Sequence, residues 1–192
     1  MSTALARTSF VTEAEYLETE ILSEFKREYL GGAVYAMAGA SEPHNIIAAN
    51  LNGMLYTRLR GKRCQPFGSD MKARLLPLDE VPYYYYPDAM IACDPTDSGH
   101  GWRERPAVLF EIISEDTRRI DEREKRVAYH TLASLEAYVR IEQDRPEAVV
   151  ERRTPDGWKS ERLIGLEAAV RLPGLEIELP LAELYERVKF AA

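Results

Sequence analysis

The chain has 192 residues, of which 45% are hydrophobic and 30% are charged, and its formal net charge is −7. This length suits one substantial core, so we expect a single domain over residues 1–192. The acidic balance argues against broad electrostatic capture of DNA, because Lys and Arg contacts to phosphate usually dominate that affinity. The sequence has neither a signal-peptide pattern nor a stretch that could span a bilayer, which predicts a cytoplasmic protein without membrane contact.

The N-terminal part of the chain predicts a helix, a hairpin and a second helix. A capping box formed by Thr12 and Glu15 marks the first helix. The hairpin turns at Gly31-Gly32, where positive φ is available at little steric cost. The second helix starts at Ser41-Glu-Pro-His44, since proline is tolerated in a first turn. The predicted bounds are 12–23, 26–37 and 41–61.

Three strands are predicted next, and the third of them holds a single charge. This strand is a continuous apolar run interrupted only by Glu111. Continuous apolar runs indicate strands covered on both faces, so Glu111 lies where an unpaired charge is costly. The three strand predictions cover 64–76, 83–93 and 107–114. The rest of the chain predicts a helix at 121–133, a strand at 136–143, a hairpin of 149–153 and 159–163, and a helix within 179–188.

The two cysteines, Cys64 and Cys93, lie far apart in the sequence. Their spacing matches no metal finger, which needs clustered Cys and His ligands. We therefore expect free thiols in a reducing compartment.

Two carboxylates on neighbouring predicted strands, Asp88 and Glu111, precede a lysine on the next helix, Lys125. Carboxylates from two strands can hold a hard divalent cation, and an ammonium beside them can stabilise a phosphate oxyanion or position a water. Lys125 shares its helix face with apolar residues such as Tyr129, so we expect it to point inward. The alternative is a solvated pair of Lys125 with Asp121 at i,i+4.

The order helix, three strands, helix, strand over about residues 43–143, with Pro87-Asp88 and Glu111-x-Ile113, resembles the PD-(D/E)XK nuclease superfamily. From about Glu13 to Val188 the chain more closely resembles the Uma-two family of restriction-type endonucleases. The phrases that carry this resemblance are Tyr35-Ala-Met-Ala-Gly39, Glu42-Pro-His44-Asn45, Ser69-Asp70-Met71-Lys72, Tyr86-Pro87-Asp88, Glu111-Ile-Ile-Ser114 and Asp121-x-x-x-Lys125. The resemblance implies a restriction-endonuclease-like α/β (α+β) fold, a mixed sheet flanked by helices with an N-terminal hairpin and a C-terminal extension.

The resemblance also implies a chemistry. In the superfamily the aspartate after proline and the strand glutamate bind magnesium, positions held here by Asp88 and Glu111, and a lysine two residues beyond the glutamate assists the attacking water. Ile113 stands at that lysine position, and the Uma-two resemblance implies that Lys125 replaces it. The implied activity is Mg²⁺- or Mn²⁺-dependent hydrolysis of nucleic-acid phosphodiesters, with DNA as the favoured substrate and a homodimer as an option.

Four further residues are weaker candidates for the same site. Asp70 lies beside the strand of Asp88 and is either a further ligand or an edge-strand carboxylate. Glu28 reaches the site if the hairpin folds over it and is otherwise solvated. His44, in the first turn of a helix, either contacts phosphate or acts as a base, or caps the helix. Asp121 is the fourth candidate, through its spacing to Lys125.

A rival interpretation is a nuclease-fold binding or regulatory module without turnover, which could self-associate. The missing strand lysine and the acidic charge favour the rival, whereas Asp88, Glu111 and an inward Lys125 favour the enzyme. Two basic clusters could flank a site and offset the net charge locally, or could be solvated surface. Their members are Arg58, Arg60, Lys62 and Arg63, and Arg118, Arg119, Arg123, Lys125 and Arg126.

Overall fold

The computed structural model describes residues 10–37, 39–76, 81–97, 101–114 and 120–190, with the side chains of 120–122 left out. Four α-helices lie within these ranges: α1 Glu13–Ile21, α2 Glu42–Leu59, α3 Arg126–His130 and α4 Leu181–Leu184. A π-helical turn, Ile120–Lys125, leads directly into α3, and a short 3₁₀ turn spans Pro173–Leu175.

Thirteen strands are present in the described ranges. The first seven are β1 Arg27–Leu30, β2 Ala33–Ala36, β3 Gln65–Gly68, β4 Lys72–Leu75, β5 Tyr83–Tyr85, β6 Ala89–Ala92 and β7 Trp102–Arg103. The other six are β8 Pro106–Ile113, β9 Ala137–Glu142, β10 Glu147–Thr154, β11 Gly157–Ile164, β12 Ala169–Leu172 and β13 Ile177–Pro180.

The strands form two sheets and a ribbon. Sheet A has the order β2-β1-β5-β4-β7, sheet B has the order β11-β10-β9-β8-β6-β3, and β12 pairs with β13. Both sheets are mixed, since β4 and β7 run parallel in sheet A and β8 and β9 run parallel in sheet B. This is the predicted arrangement of mixed sheet and helices.

The N-terminal elements follow the local signals of the sequence. Thr12 Oγ1 accepts a hydrogen bond from the Glu15 N–H at 3.2 Å, and the Glu15 carboxylate accepts from the Thr12 N–H at 2.8 Å, which confirms the capping box. The hairpin of β1 and β2 turns through Gly31 and Gly32, whose φ angles are +57° and +100°. At the start of α2, Ser41 Oγ accepts a hydrogen bond from the His44 N–H at 3.3 Å.

The strands predicted at 64–76 and 83–93 are each two strands, so these boundaries were wrong. The first divides into β3 in sheet B and β4 in sheet A, and the second into β5 in sheet A and β6 in sheet B. Pro87 stands at the second division, where a residue without an N–H cannot continue a ladder. Apolar or aromatic residues occur on both sides of each break, so the sequence conceals the change of sheet.

The centre of sheet B is buried on both faces, as the apolar run of β8 predicts. All eight residues of β8 are buried. One face packs on α2 and the C-terminal ribbon through Phe110 and Ile112. The other packs on residues of sheet A and α3 through Met90 and Leu109. The core therefore lies on both sides of β6 and β8, and polar side chains can gather only near the ends of these strands.

Two helix predictions were too long. The predicted helix at 121–133 is a π-helical turn followed by α3, and the predicted C-terminal helix is only α4. The ribbon of β12 and β13 was not predicted, although Val170, Leu172 and Leu179 alternate with polar residues and enter the core at the spacing of a strand.

Cys64 and Cys93 form a disulfide, which corrects the prediction of free thiols. The antiparallel register pairs Gln65 with Ala92, so continuing it by one residue sets the two cysteines opposite each other. Their separation of 29 residues hid a contact that the pairing of β3 with β6 creates.

Within the described ranges, no helix is both long enough and apolar enough to cross a membrane.

Candidate functional site

The pairing of β6 with β8 brings the first two candidate residues together. Its register matches Ala89 with Phe110, so one further step places Asp88 opposite Glu111. The Ile112 N–H donates to Asp88 Oδ2 at 2.7 Å, which holds this carboxylate against the end of β8. The side chain of Asp88 is only 13% exposed. Two acidic side chains thus stand at one end of two buried strands.

Lys125 and Tyr129 reach Glu111 from the helical segment that follows β8. Glu111 Oε1 accepts hydrogen bonds from Lys125 Nζ at 3.2 Å and from the Tyr129 hydroxyl at 2.7 Å. Lys125 is 6% exposed, so its ammonium points inward as the helix periodicity indicates. The π-helical turn ends at Lys125, and such turns occur frequently at functional sites.

Glu28 enters the same cluster from the N-terminal hairpin. Its Oε1 lies 3.1 Å from Lys125 Nζ and accepts a hydrogen bond from the Tyr86 N–H at 3.2 Å. Pairing of β1 with β5 sets the hairpin beside the strand that leads to Asp88. The ammonium of Lys125 therefore contacts two carboxylates from different sheets, and the ring of Tyr85 lies 5.8 Å away.

His44 approaches Asp88 from the opposite side of sheet B. Its Nε2 lies 3.2 Å from Asp88 Oδ1, and the start of α2 carries it there. Ser41, the N-cap of this helix, also donates to the side chain of Gln143 at 2.8 Å, which fixes the helix end against the end of β9. His44 Nδ1 is buried and has no hydrogen-bond partner among the described residues.

Burial sets the protonation state of the tyrosines around the cluster. Burial, together with the charges of Glu111 and Glu28, raises the pKa of Tyr129 well above its usual value. Burial and the nearby Glu28 raise the pKa of Tyr85, against an opposing effect of Lys125. Tyr129 is therefore a neutral hydrogen-bond donor to Glu111 throughout the physiological pH range.

Two of the weaker candidates are not brought to this cluster by any described contact. The Asp70 side chain is 94% exposed and pairs with Lys26 at 2.7 Å. Asp121 lies in the π-helical turn, but its side chain is outside the described residues. Of the first basic cluster, Arg58 lies roughly 20 Å along α2 from His44, given 1.5 Å per residue. Its guanidinium pairs with Glu183 of α4 and not with an acid of the candidate site.

The donor set has the chemistry of a hard-cation site. Among the described residues no group of three or more His, Cys, Asp or Glu is arranged to hold a metal ion. Magnesium, however, is commonly held by one or two carboxylates and otherwise by water. Asp88 and Glu111 are two such carboxylates, at positions that the β6–β8 register, extended by one residue, sets opposite each other.

Tyr129 is the member of the cluster that sequence reasoning missed. It was assigned to the apolar face of the helix because its ring packs in the core beside Tyr138. The available signal was its spacing of four residues from Lys125, which directs both side chains to one partner. A buried tyrosine needs an acceptor for its hydroxyl, and the charge in β8 provides one.

Comparison with known proteins places the chain among nuclease relatives. A family model described as "Putative restriction endonuclease" matches residues 13–182. An uncharacterized protein of Synechocystis sp. is 31% identical over 142 residues, which cover 72% of this chain and 78% of that protein. A second uncharacterized Synechocystis protein is 28% identical over 170 residues, covering 88% of this chain and 86% of the relative.

A solved structure shares the fold. The crystal structure of a "putative nuclease belonging to DUF820" from Anabaena variabilis superposes with a TM-score of 0.71. The match covers 92% of this chain and 98% of the Anabaena chain at 16% sequence identity. At that identity the match concerns the fold alone, and it extends over both sheets.

Proposed function

Because the chain belongs to the Uma2 family of restriction endonucleases, we propose that it hydrolyses nucleic-acid phosphodiester bonds, with DNA as the first substrate to test. The observation that carries this proposal is the buried ammonium of Lys125, which contacts Glu111 and Glu28 beside Asp88. A buried ammonium held by carboxylates next to a hard-cation donor pair is suited to a reaction in which negative charge develops on a phosphate.

Asp88 and Glu111 are the residues proposed to hold Mg²⁺ or Mn²⁺. When bound there, such an ion lowers the pKa of a coordinated water and offsets the charge of the phosphate. The Ile112 N–H fixes the Asp88 carboxylate, and Tyr129 fixes the Glu111 carboxylate. Each acid is thus oriented by at least one neutral donor.

Lys125 is proposed to act on the phosphate in the role that the strand lysine has in related nucleases. The usual strand position is held by Ile113, which is buried and apolar. Lys125 reaches the same end of β8 from the helical side, so its ammonium can donate to a non-bridging oxygen or to the attacking water. Glu28 and Glu111 hold the ammonium in place at this end of β8.

His44 is proposed as the group that moves a proton at Asp88. Its Nε2 lies next to the carboxylate, so the imidazole can exchange a proton with a water bound there. The contact also restricts Asp88 to one orientation. Ser41 is the N-cap of α2, so the contact of the His44 side chain with Asp88 is not a capping contact.

A cytoplasmic location and a homodimer are the remaining parts of the proposal, the first resting on the sequence analysis and the second on the resemblance to restriction-type endonucleases. The disulfide argues against the first, since cytosolic proteins seldom keep such bonds. Alkylation of the native protein with and without reductant, followed by mass analysis, counts its free thiols. Two free thiols in protein taken directly from cytosol support the cytoplasm, whereas a bridged pair argues for an oxidising compartment.

The proposed function is tested by metal-dependent stability and cleavage. Mn²⁺ is expected to raise the melting temperature of the wild type, because a ligand that binds only the native state stabilises it. Asp88→Asn and Glu111→Gln are expected to lose this shift and to lose cleavage of labelled single- and double-stranded DNA and RNA. Asp70→Asn is the matched control, since it removes an exposed carboxylate and should keep both properties. An equal metal response in all four proteins would refute the site.

A binding module without turnover is the second candidate, and Ile113 in place of the strand lysine is the observation that favours it. The same assay separates the two. Tight binding of DNA or RNA with no cleavage by the wild type, under Mg²⁺ or Mn²⁺, would favour the module.

A further inference from the structure

A half-buried lysine lies beside the tyrosine that leads to Asp88. Ala73 and Leu75 of β4 pack into the core, so the alternate residues Lys72 and Arg74 point to the other face of sheet A, towards α1. Lys72 Nζ donates to the Tyr86 hydroxyl at 3.3 Å and lies 5.2 Å from the centre of its ring. The Tyr86 hydroxyl in turn donates a hydrogen bond to Glu20 Oε1 at 3.0 Å.

Unlike Arg74, Lys26 and Arg27, Lys72 has no acidic partner among the described residues. Arg74 pairs with Glu13 and Glu104, and the other two basic neighbours each meet one carboxylate. Those two pairs are Lys26 with Asp70 at 2.7 Å and Arg27 with Glu20 at 2.8 Å. In the described part of the chain, no carboxylate lies within salt-bridge distance of Lys72 Nζ, since none of the recorded ion pairs includes it.

The environment of Lys72 favours an anion as the missing partner. Its ammonium has three donors and spends one on Tyr86. Burial lowers the pKa of Lys72, against the opposing charge of Glu20, which indicates an ammonium that has lost part of its hydration. A second ammonium, Lys26 Nζ, lies 5.6 Å from the centre of the same ring. Lys26 already contacts Asp70 and Ser69, whereas Lys72 keeps donors for an added anion in its described contacts.

We propose that Lys72 binds a phosphate of the nucleic-acid backbone other than the one that is cleaved. This inference rests on the proposed function. Tyr86 links the two places: its hydroxyl contacts Lys72, its N–H contacts Glu28 of the candidate site, and Asp88 follows two residues later. Lys72 lies on the opposite face of sheet A from Glu28 but at the same end of the sheet.

The test is the salt dependence of nucleic-acid binding. Anisotropy of labelled duplex and single-stranded DNA is measured with the full chain between 50 and 200 mM NaCl, with Ca²⁺ replacing Mn²⁺ to prevent cleavage. Loss of one phosphate contact should make the slope of log K against log[salt] shallower by about 0.9 on duplex or about 0.7 on single strands. Lys72→Met is expected to show this loss, and Lys72→Arg is expected to keep the wild-type slope.

Lys159→Met is the control, because Lys159 is an exposed lysine on β11, in the edge strand of sheet B. It should leave the slope unchanged. Lys72→Gln keeps a polar tip beside Tyr86 and serves as a second variant with the same expected loss. In Mn²⁺, Lys72→Met should raise KM for cleavage with little change in kcat, since Lys72 does not touch the reacting atoms.

The outcomes separate this inference from the proposed function. Wild-type cleavage together with an unchanged slope in both Lys72→Met and Lys72→Gln would overturn the Lys72 site and leave the nuclease proposal intact. A wild type that neither binds nor cleaves any of the substrates would overturn both. A shallower slope with retained cleavage supports the phosphate contact.

Discussion

Two buried glutamates, Glu111 and Glu151, meet consecutive residues of the same helical segment in different ways. Glu111 is 3% exposed and Glu151 is 2% exposed. Lys125 contacts Glu111, whereas the next residue, Arg126, contacts Glu151 at 2.8 Å. The two acids therefore share one helical segment, similar burial and a basic partner, and differ in the balance of charge around them.

Around Glu151 one carboxylate meets two guanidinium groups and an imidazole. Arg126, His130 and Arg140 all lie within 3.4 Å of its oxygens. Burial alone raises the pKa of Glu151, but these three side chains outweigh it and hold the pKa at about 2. In the described contacts around Lys125 the ratio is reversed, because one ammonium meets two carboxylates. The difference indicates a structural ion cluster at Glu151, and it agrees with the cation site that we propose at Glu111.

The largest expected effect is on turnover and separates Lys125 from Arg126. Lys125→Met should lower the single-turnover cleavage rate by ~10²-fold or more, because it removes a positioned donor but keeps the stem. Arg126→Met should change the rate little, since Arg126 serves Glu151. Single-turnover cleavage of labelled DNA and RNA with Mn²⁺ measures both. Full activity in Lys125→Met would show that this lysine does not act on the phosphate.

The second prediction concerns stability and reverses the ranking. Glu151→Gln should lower the free energy of unfolding by about 2 kcal/mol, because Arg140 and His130 lose their carboxylate partner in a buried place. Arg126 is half-exposed and can be hydrated by water instead. Glu111→Gln should stay within about 1 kcal/mol of the wild type without metal, because the amide oxygen still accepts from Tyr129 and Lys125 keeps Glu28. Urea denaturation in EDTA measures both. Equal losses would remove the distinction between the clusters.

The third prediction uses the depressed pKa of Glu151. A carboxylate whose pKa falls to about 2 on folding, from 4.5, stabilises the native state above its unfolded pKa and loses that contribution as the pH falls. The stability difference between wild type and Glu151→Gln should be constant from neutral pH to about pH 5 and then shrink towards pH 2. The decline should be no steeper than about 1.4 kcal/mol per pH unit. A difference that does not vary with pH would contradict this assignment.

The smallest effect is expected for Tyr129, which positions Glu111. Tyr129→Phe removes one hydrogen bond to a charged acceptor and should cost about 1–2 kcal/mol of stability. It should weaken Mn²⁺ binding several-fold with a smaller change in kcat. Calorimetric titration with Mn²⁺, compared with the equally buried Tyr138→Phe, measures this effect. Unchanged metal affinity would leave Tyr129 as a packing residue.

Much of the candidate site was predictable because its signals are local. The break in an apolar strand marked Glu111, the proline marked Asp88, and helical spacing marked the inward side of Lys125. Glu28 and His44 were named but could not be ranked, since their approach depends on how a hairpin and a helix dock. Asp70, like Asp88 and Glu111, lay in a predicted strand, yet its side chain points to solvent.

The errors in the fold arise where long-range pairing decides. Apolar or aromatic residues lie on both sides of Met71 and Pro87, so nothing local indicates that the chain moves from one sheet to the other. The ribbon of β12 and β13 needs its partner strand to be recognised. The cysteine pair is of the same kind, because only the pairing of β3 with β6 makes Cys64 and Cys93 neighbours.

The disulfide and Asp88 bracket β6, with Cys93 after its last residue and Asp88 before its first. A slip of one residue between paired strands exchanges the faces to which every side chain points. In β6 it would turn Met90 from one core to the other and carry Asp88 away from Glu111. The covalent link to Cys64 fixes one end of β6 against β3. Asp88 stands at the other end of the same strand, so the link helps to hold the strand that positions this carboxylate.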